Sequence, residues 1–519
     1  MTTSPFTDLP DELLICVCEQ LADSKAALRQ LVVTSRRLQA IAEPVLYRHI
    51  FFRKQSELAN LLVSVESSPS RTKAFRELDV RCKLDGNGRV RAQPFELVGT
   101  LLRQAPGIQD LTMESPYCNE SSWPDATVEN GWDAVMSHWL SPLLEAGRPD
   151  LISAPLQRTV SHPLPALKRL TLHLNGLERE FWTINGDFIH LLMHPTIEEL
   201  HLSSINIPDD ATELICPDVH TPLKRLTLDE ANVTIRGLHG LLAIPKALEY
   251  LYIGENSYSP RESRYPPGQD YNDLCSKDID GLVATLHQQR ASLQTLVYHR
   301  KRDIAHYNQS FPQSYRGPDF STFTALRTLT ITYDFEAMTR GLDRSTTTAP
   351  NLESLTVDDF AMTAALERGN DTVCPALFKD LASANPKLRN VDIVCEIFRM
   401  ADSFYHRPRG RGHGGIKAIG EYLHGKDITF CVLLPPTHPR YVPPFLYAEQ
   451  VAEHRLWYQN DEAGIRNLES FRGEEDSDDE DEVEIGWLDD VLELEENWEV
   501  EEDEDDEDWE AEMHWGRQS

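Results

Sequence analysis

Residues 167–172 read Leu-Lys-Arg-Leu-Thr-Leu, and the same six residues return at 223–228. This pattern, L-x-x-L-x-L with apolar replacements, occurs ten times in the chain. Its copies begin at Phe75, Ile108, Leu167, Ile197, Leu223, Leu248, Leu293, Leu326, Leu352 and Leu388. Most copies are 25–36 residues apart, and a short amphipathic segment precedes many of them. A unit that recurs at this length predicts a stack of helix-and-strand repeats.

Each copy predicts a strand with two different sides. Side chains alternate along a strand, so the leucines point into a core and the intervening residues point away from it. The outward residues that we expect to bind a partner are Arg169, His173, His201, Arg225, Asp229, Tyr250, Tyr252 and His299. Tyr250 and Tyr252 are the expected anchors, because rigid amphipathic rings often dominate binding. The alternative is a sheet face that only meets solvent.

The N-terminus predicts a small helical module. In Leu9-Pro10-Asp11-Glu12-Leu13-Leu14 the proline suits the first helical turn, and the two acids complement the positive end of the helix dipole. Leu13, Leu14 and Val17 recur at helical spacing, and a second helix is predicted over Leu28–Ile41, ended by Pro44. About 45 residues are too few to bury a core of their own. Either the following domain or a partner should therefore cover these leucines.

The same residues resemble an F-box. The resemblance is carried by Leu9-Pro10-x-Glu12-Leu13-Leu14, Leu28-x-x-Leu31, Ser35-Arg36-Arg37-Leu38 and Ile41-Ala42-x-Pro44-x-Leu46-Tyr47. It implies binding to the Skp-family adaptor of a cullin-based ubiquitin ligase. The residues that it implies for this contact are Leu9, Pro10, Leu13, Leu14, Val17, Leu28, Leu31 and Leu38. Cys16 and Cys18 depart from the pattern, because larger groups often stand there.

The repeats resemble leucine-rich repeats. This resemblance implies an irregular solenoid with a parallel sheet on its concave side. One feature departs from the family pattern: the Asn expected three residues after the last leucine of a strand is present only at Asn175 and Asn256. The competing fold is an ordinary doubly wound α/β domain.

The charge of the chain is concentrated near its C-terminus. The chain has 84 Asp and Glu against 50 Lys and Arg, a formal net charge of −34. Residues 474–512 hold 25 of the acids and no basic residue, so the remainder has 59 acidic and 50 basic residues and a net charge of −9. Such a segment is predicted to be disordered. It either solubilises the chain or, through the apolar residues of 485–498, binds a basic partner.

Other signals exclude classes of function. The acidic balance argues against nucleic-acid binding, and no apolar run is long enough to cross a bilayer. The nine Cys lack a C-x-x-C pair and the catalytic motifs of common enzymes are absent. A G-x-G-x-x-G at 410–415 follows no strand, which favours an Arg/Gly loop over a dinucleotide site. We expect a non-catalytic cytoplasmic or nuclear protein with no cofactor and no metal.

The sequence therefore predicts an α/β chain whose parts have different tasks. They are an F-box at 1–50, a connecting segment at 51–66, a leucine-rich-repeat-like solenoid at 67–400, a region at 401–473 with the Arg/Gly loop, a closing strand (428–434) and a closing helix (445–458), and an acidic disordered tail at 474–519. The expected function is substrate recognition in an SCF-type ligase, with the adaptor, through it a cullin, and an unknown target protein as partners. The alternative is a non-ligase scaffold whose tail binds basic proteins.

Overall fold

The structure is a computed structural model that describes part of the chain. The described residues are 9–52, 55–81, 93–115, 132–148, 163–174, 181–184, 186–212, 220–255, 278–299, 317–332, 342, 346–358, 373–394, 411–434 and 455–461. All of them belong to the first of two compact units, residues 1–468. The predictions for the acidic tail, for Asn175 and for Asn256 lie outside the described residues.

Three helices form the N-terminal module: α1 (Asp11–Gln20), α2 (Lys25–Thr34) and α3 (Arg36–Leu46). The sequence predicted one helix where α2 and α3 stand, and this prediction is wrong. Ser35 is extended and its hydroxyl accepts a hydrogen bond from the backbone N–H of Leu38 at 3.2 Å. A serine in this conformation caps the start of a new helix, which explains the break. Pro44, predicted to end the helix, lies inside the last turn of α3.

Fourteen strands of the described chain join in one sheet. They are β1 (His49–Phe52), β2 (Glu77–Arg81), β3 (Asp110–Glu114), β4 (Arg169–His173), β5 (Trp182–Thr183), β6 (Glu199–Ile207), β7 (Arg225–Val233), β8 (Tyr250–Gly254), β9 (Thr295–His299), β10 (Thr328–Thr332), β11 (Ser354–Asp358), β12 (Asn390–Val394), β13 (Thr429–Leu434) and β14 (Arg455–Gln459). All ten predicted strand cores are strands of this sheet.

The strands follow one another across the sheet in chain order. Apart from the short β5, which pairs only with β6, each strand lies beside the next one in sequence. All pairs are parallel except β13 with β14. A doubly wound sheet reverses its strand order at a switch point, and no reversal occurs among the described strands. The chain is therefore an N-terminal helical module followed by an α/β sheet region.

Helices cover the side of the sheet that carries the leucines. They are α4 (Gln55–Ser67), α5 (Gln93–Gln104), α6 (Trp132–Ala146), α7 (Ile235–Ala243), α8 (Ile279–Leu286), α9 (Val373–Ala384) and α10 (Arg411–His424), with short 3-10 helices at Pro69–Ala74, Gly186–Met193, Asp209–Thr212 and His287–Gln289. One contiguous core joins them to the sheet, and Leu170 and Leu226 are typical members. Residues 51–66 were predicted only as a connecting segment, and the structure has nearly all of α4 there.

Two buried asparagines link β5, β6 and β7. The Asn232 Nδ2 atom donates to the Asn206 Oδ1 atom at 2.7 Å, and the Asn206 Nδ2 atom donates to the Phe181 carbonyl at 3.1 Å. The sequence pattern expected an asparagine one position earlier in each strand. Ser204 and Glu230 have φ angles of 55° and 47°. In each strand the left-handed residue adds one position, so the asparagine stands one residue later than the pattern expects.

The C-terminal part of the sheet differs from the sequence prediction in two places. Residues 411–415 of the predicted Arg/Gly loop lie in helix α10. The predicted helix over 445–458 is wrong for its last residues, because β14 pairs antiparallel with β13 instead. Tyr458 is buried there and its ring lies 6.0 Å from that of Phe430. Pairing with β13 and burial of Tyr458 together favour the strand.

Within the described chain, no helix combines the length and the apolar character that a membrane span requires.

Candidate partner-binding surfaces

The interior of the N-terminal module takes up three of the eight residues predicted to bind an adaptor. Leu14, Leu28 and Leu38 are almost completely buried. Leu28 belongs to a small core with Cys18, and this core is separate from that of the sheet region. Any contribution of these three leucines to binding is therefore through the position of the helices.

The other predicted adaptor-binding residues reach the surface to different extents. The Leu13 side chain on α1 is 51% exposed. Pro10 is exposed, whereas Leu9, Val17 and Leu31 are half-buried. The sequence did not single out two further exposed apolar residues, which are Ile15 and Val33. The module thus leaves apolar side chains in water, which is unfavourable unless a partner covers them.

Arg37 ties the start of α1 to α3. Its guanidinium donates to the Asp11 carboxylate at 2.6 and 2.8 Å and to the Leu9 carbonyl at 2.6 Å. Both side chains of this ion pair are about half exposed, so the pair adds little stability. Its effect is geometric, because it fixes the segment Leu9–Pro10 from which the exposed face of α1 begins.

Polar and aromatic contacts join the N-terminal module to the sheet region. Arg71 pairs with Glu43 at 2.7 Å, and its guanidinium lies 5.4 Å from the centre of the Tyr47 ring. The Tyr47 ring stacks on Phe75, with 6.2 Å between the ring centres. Phe75 is fully buried in the core of the sheet region. The module is therefore held firmly at the β1 end of the sheet.

The side of the sheet opposite the leucines forms a second surface, which we call the outward face. It consists of three rows of residues that run across the strands in register. The first row is His49, Glu77, Asp110, Arg169, Glu199, Arg225, Tyr250, Thr295, Thr328, Ser354 and Asn390. The second is Phe51, Asp79, Thr112, Thr171, His201, Thr227, Tyr252, Val297, Thr330, Thr356 and Asp392. The third is Arg81, Glu114, His173, Ser203, Asp229, Gly254, His299, Thr332, Asp358 and Val394.

The structure brings six of the predicted target-binding residues together. Arg225 lies over the Tyr250 ring, with 4.0 Å from its Cζ atom to the ring centre. Two residues further along β8, the Tyr252 ring lies 5.3 Å from the His299 ring. The Tyr252 hydroxyl donates to the Asp229 carboxylate at 3.4 Å. His201 lies in the row of Tyr252, two strands away, with Thr227 between them.

Burial shifts the pKa of two residues of this cluster. It raises the pKa of Tyr250, so the phenol stays protonated at neutral pH. It lowers the pKa of His201 in spite of the charge of Asp229, which acts in the opposite direction. His201 is therefore mainly neutral at pH 7. At neutral pH the cluster therefore holds a protonated phenol at Tyr250 and a mainly neutral imidazole at His201.

The third row is less accessible than the sequence pattern suggested. His173 is completely buried, and its Nδ1 atom lies 2.5 Å from the Ser203 hydroxyl oxygen. Asp229 is also buried. In contrast Arg169 is exposed and pairs with Asp110 at 2.7 Å. The first two rows therefore carry the accessible part of the outward face.

Among the described residues, no three His, Cys, Asp or Glu side chains are grouped closely enough to hold a metal ion. The buried His173–Ser203 pair is a hydrogen bond between adjacent strands. Such a pair satisfies polar groups inside a fold.

Comparison with known proteins identifies the N-terminal module. Residues 6–53 match the F-box-like family model. The chain therefore carries an F-box-like domain, which contains α1, α2 and α3. No curated protein matches the chain.

Two solved structures resemble the chain at low levels. A chain of the crystal structure of the Rad7 and Elc1 complex in yeast is 13% identical, with 74% of this chain and 88% of that chain covered and a TM-score of 0.29. A chain of the TLR13–ssRNA13 complex is also 13% identical, with 64% and 49% covered and a TM-score of 0.18. Scores this low carry no argument about the fold or the partners of this chain.

Proposed function

We propose that the protein is a substrate-recognition subunit of an SCF-type E3 ubiquitin ligase. Its F-box-like domain binds a Skp-family adaptor and through it a cullin, and its sheet region is a leucine-rich-repeat-like solenoid that binds the target protein. The observation that carries the proposal is the F-box-like domain at residues 6–53, in which Pro10 and the half-exposed Leu13 face solvent.

The subunit itself performs no chemistry in this proposal. It raises the effective concentration of target lysines near a ubiquitin that another protein carries. Two features support a receptor of this kind. The sheet has one face covered by helices and one lined by rows of polar and aromatic side chains, and repeat proteins commonly bind partners on such a face.

The test is co-purification with a Skp-family adaptor. Replacing Leu13→Asp together with Pro10→Ala removes an exposed apolar contact and places a charge in the interface, so we expect adaptor binding to be lost. The matched control is Val63→Asp, because Val63 is an exposed apolar residue on α4, outside the F-box-like domain. Both variants should keep the thermal stability of the natural chain. Adaptor binding that survives the double change would contradict the proposal.

Deletion of residues 474–519 separates the proposal from the scaffold alternative. The ligase subunit keeps adaptor binding without this segment, whereas a scaffold that captures basic proteins through its acidic tail loses its partner. Salt provides a second distinction, because capture by exposed charges weakens steeply towards physiological ionic strength and apolar contacts do not.

A further inference from the structure

The outward face has an unequal balance of charge. In the first two rows, which carry the accessible part of the face, five residues are carboxylates and two are arginines, and no residue is a lysine. The third row adds one more arginine, Arg81. The carboxylates are Glu77, Asp79, Asp110, Glu199 and Asp392. Glu199 is exposed, and the side chain of Glu77 is 47% exposed. A face with this balance attracts cationic groups over about one Debye length, roughly 8–10 Å.

Each of the three arginines is already engaged by a neighbour on the face. Arg81 lies 3.5 Å from Glu114 and also contacts Asp79, while Arg169 pairs with Asp110. Arg225 lies against the Tyr250 ring. An incoming anion would have to compete with these groups for the guanidinium.

The spacing of the arginines also disfavours binding of a phosphate. Proteins that recognise phosphorylated segments use clusters of arginines that converge on one phosphate. Here the arginines stand on β2, β4 and β7, two strands apart in each case. At roughly 4.8 Å per strand, neighbouring arginine positions are separated by about 10 Å. No two of them converge.

The aromatic part of the face suits a cation instead. The half-buried Tyr252 ring lies beside the His299 ring, and its hydroxyl donates to the Asp229 carboxylate, which is itself buried. The face of an aromatic ring attracts the cationic side chains of lysine and arginine. The acidic segment 474–512 of this chain has the same charge sign as the face, so it is not a suitable occupant.

We propose that the outward face binds a segment of the target protein that is rich in lysine and arginine and that carries no phosphate. This inference rests on the proposed function, because it assigns a chemical class to the target of the same face. Under this inference, phosphorylation of the target segment weakens its recognition, and recognition depends on salt.

The test is a selection from a displayed library of random 12-residue peptides on the immobilised full-length chain. The affinities of individual recovered peptides are then measured by fluorescence anisotropy. We expect the recovered peptides to carry a net positive charge. Versions of the same peptides with phosphoserine in place of serine should bind more weakly.

Matched variants locate the binding on the face. Glu77→Gln with Glu199→Gln removes two charges from the first row, whereas Glu66→Gln with Asp380→Asn removes two exposed charges from α4 and α9. We expect the first pair to weaken binding about tenfold and the second to change it less than about twofold. Because both variants keep the acidic segment, binding by that segment would be affected equally in both.

The inference is overturned if neutral, acidic or phosphorylated peptides are preferred, or if the two pairs of variants behave alike. Failure of the proposed function is read separately, in the adaptor experiment. If the chain binds basic peptides on the face but no adaptor, the inference about the face is supported and the ligase proposal is contradicted. If the chain binds the adaptor but no basic peptide, only the inference about the face is contradicted.

Discussion

Replacing Asn206→Ala tests how the sheet region is held together between adjacent repeats. Asn206 is completely buried. Its Nδ2 atom donates to the Phe181 carbonyl at 3.1 Å and to the Thr183 hydroxyl at 3.2 Å, and its Oδ1 atom accepts from Asn232 at 2.7 Å. At a net value of about 1 kcal/mol per hydrogen bond, the three bonds contribute roughly 3 kcal/mol. Two of the partners left behind, the Phe181 carbonyl and the Asn232 amide, belong to buried residues, which adds to the loss.

The assay is urea unfolding of the full-length chain, with circular dichroism as the signal that monitors unfolding. The change should lower the free energy of unfolding of the sheet region by roughly 3 kcal/mol. The matched control is Asn390→Ala, because Asn390 is exposed on β12, and it should cost under about 0.5 kcal/mol. An Asn206→Ala variant as stable as this control would refute the view that the asparagine pair fastens the neighbouring strands.

Three further outcomes follow from the structure. Leu14→Ala should destabilise the F-box-like domain by about 2–5 kcal/mol in thermal unfolding, because Leu14 is 1% exposed, while Leu13→Ala should leave its unfolding temperature almost unchanged; equal effects would contradict the assigned burial. The hydrogen bond to Asp79 raises the pKa of His49. The protonated form of His49 therefore stabilises the fold below pH 6.5, and this stabilisation is lost as the pH rises through the raised pKa. An NMR titration of His49 with a midpoint below 6.5 would contradict the raised pKa. Burial raises the pKa of Cys431 to about 11, so iodoacetamide at pH 8 should label the exposed Cys16 before Cys431. Peptide mapping that finds Cys431 labelled before Cys16 would contradict this environment.

The strands of the sheet were predictable because their signal is local and repeated. Leu170 and Leu172 alternate with polar residues, and the structure buries both leucines. The position of Asn206 was missed for a physical reason: Ser204 adopts a left-handed conformation that shifts the register by one residue. Few sequence signals announce such a residue when it is not glycine.

The exposure of the N-terminal leucines could not be read from their pattern. Leu13 and Leu14 belong to the same motif and differ by one position on α1, yet the first is half exposed and the second is buried. Their difference depends on how α3 packs against α1 and on the break at Ser35. His173 shows the same limit on the sheet, because alternation predicted its side but not its burial.

Titration calorimetry of the full-length chain with a separately purified Skp-family adaptor measures the proposed contact directly. The natural chain should bind one adaptor with a negative heat-capacity change, as apolar burial requires. Burying the exposed half of Leu13 is worth roughly 1 kcal/mol, so Leu13→Ala should weaken binding about fivefold. Absence of binding heat with the natural chain, or an affinity that does not respond to Leu13, would contradict an adaptor-binding role for the F-box-like domain.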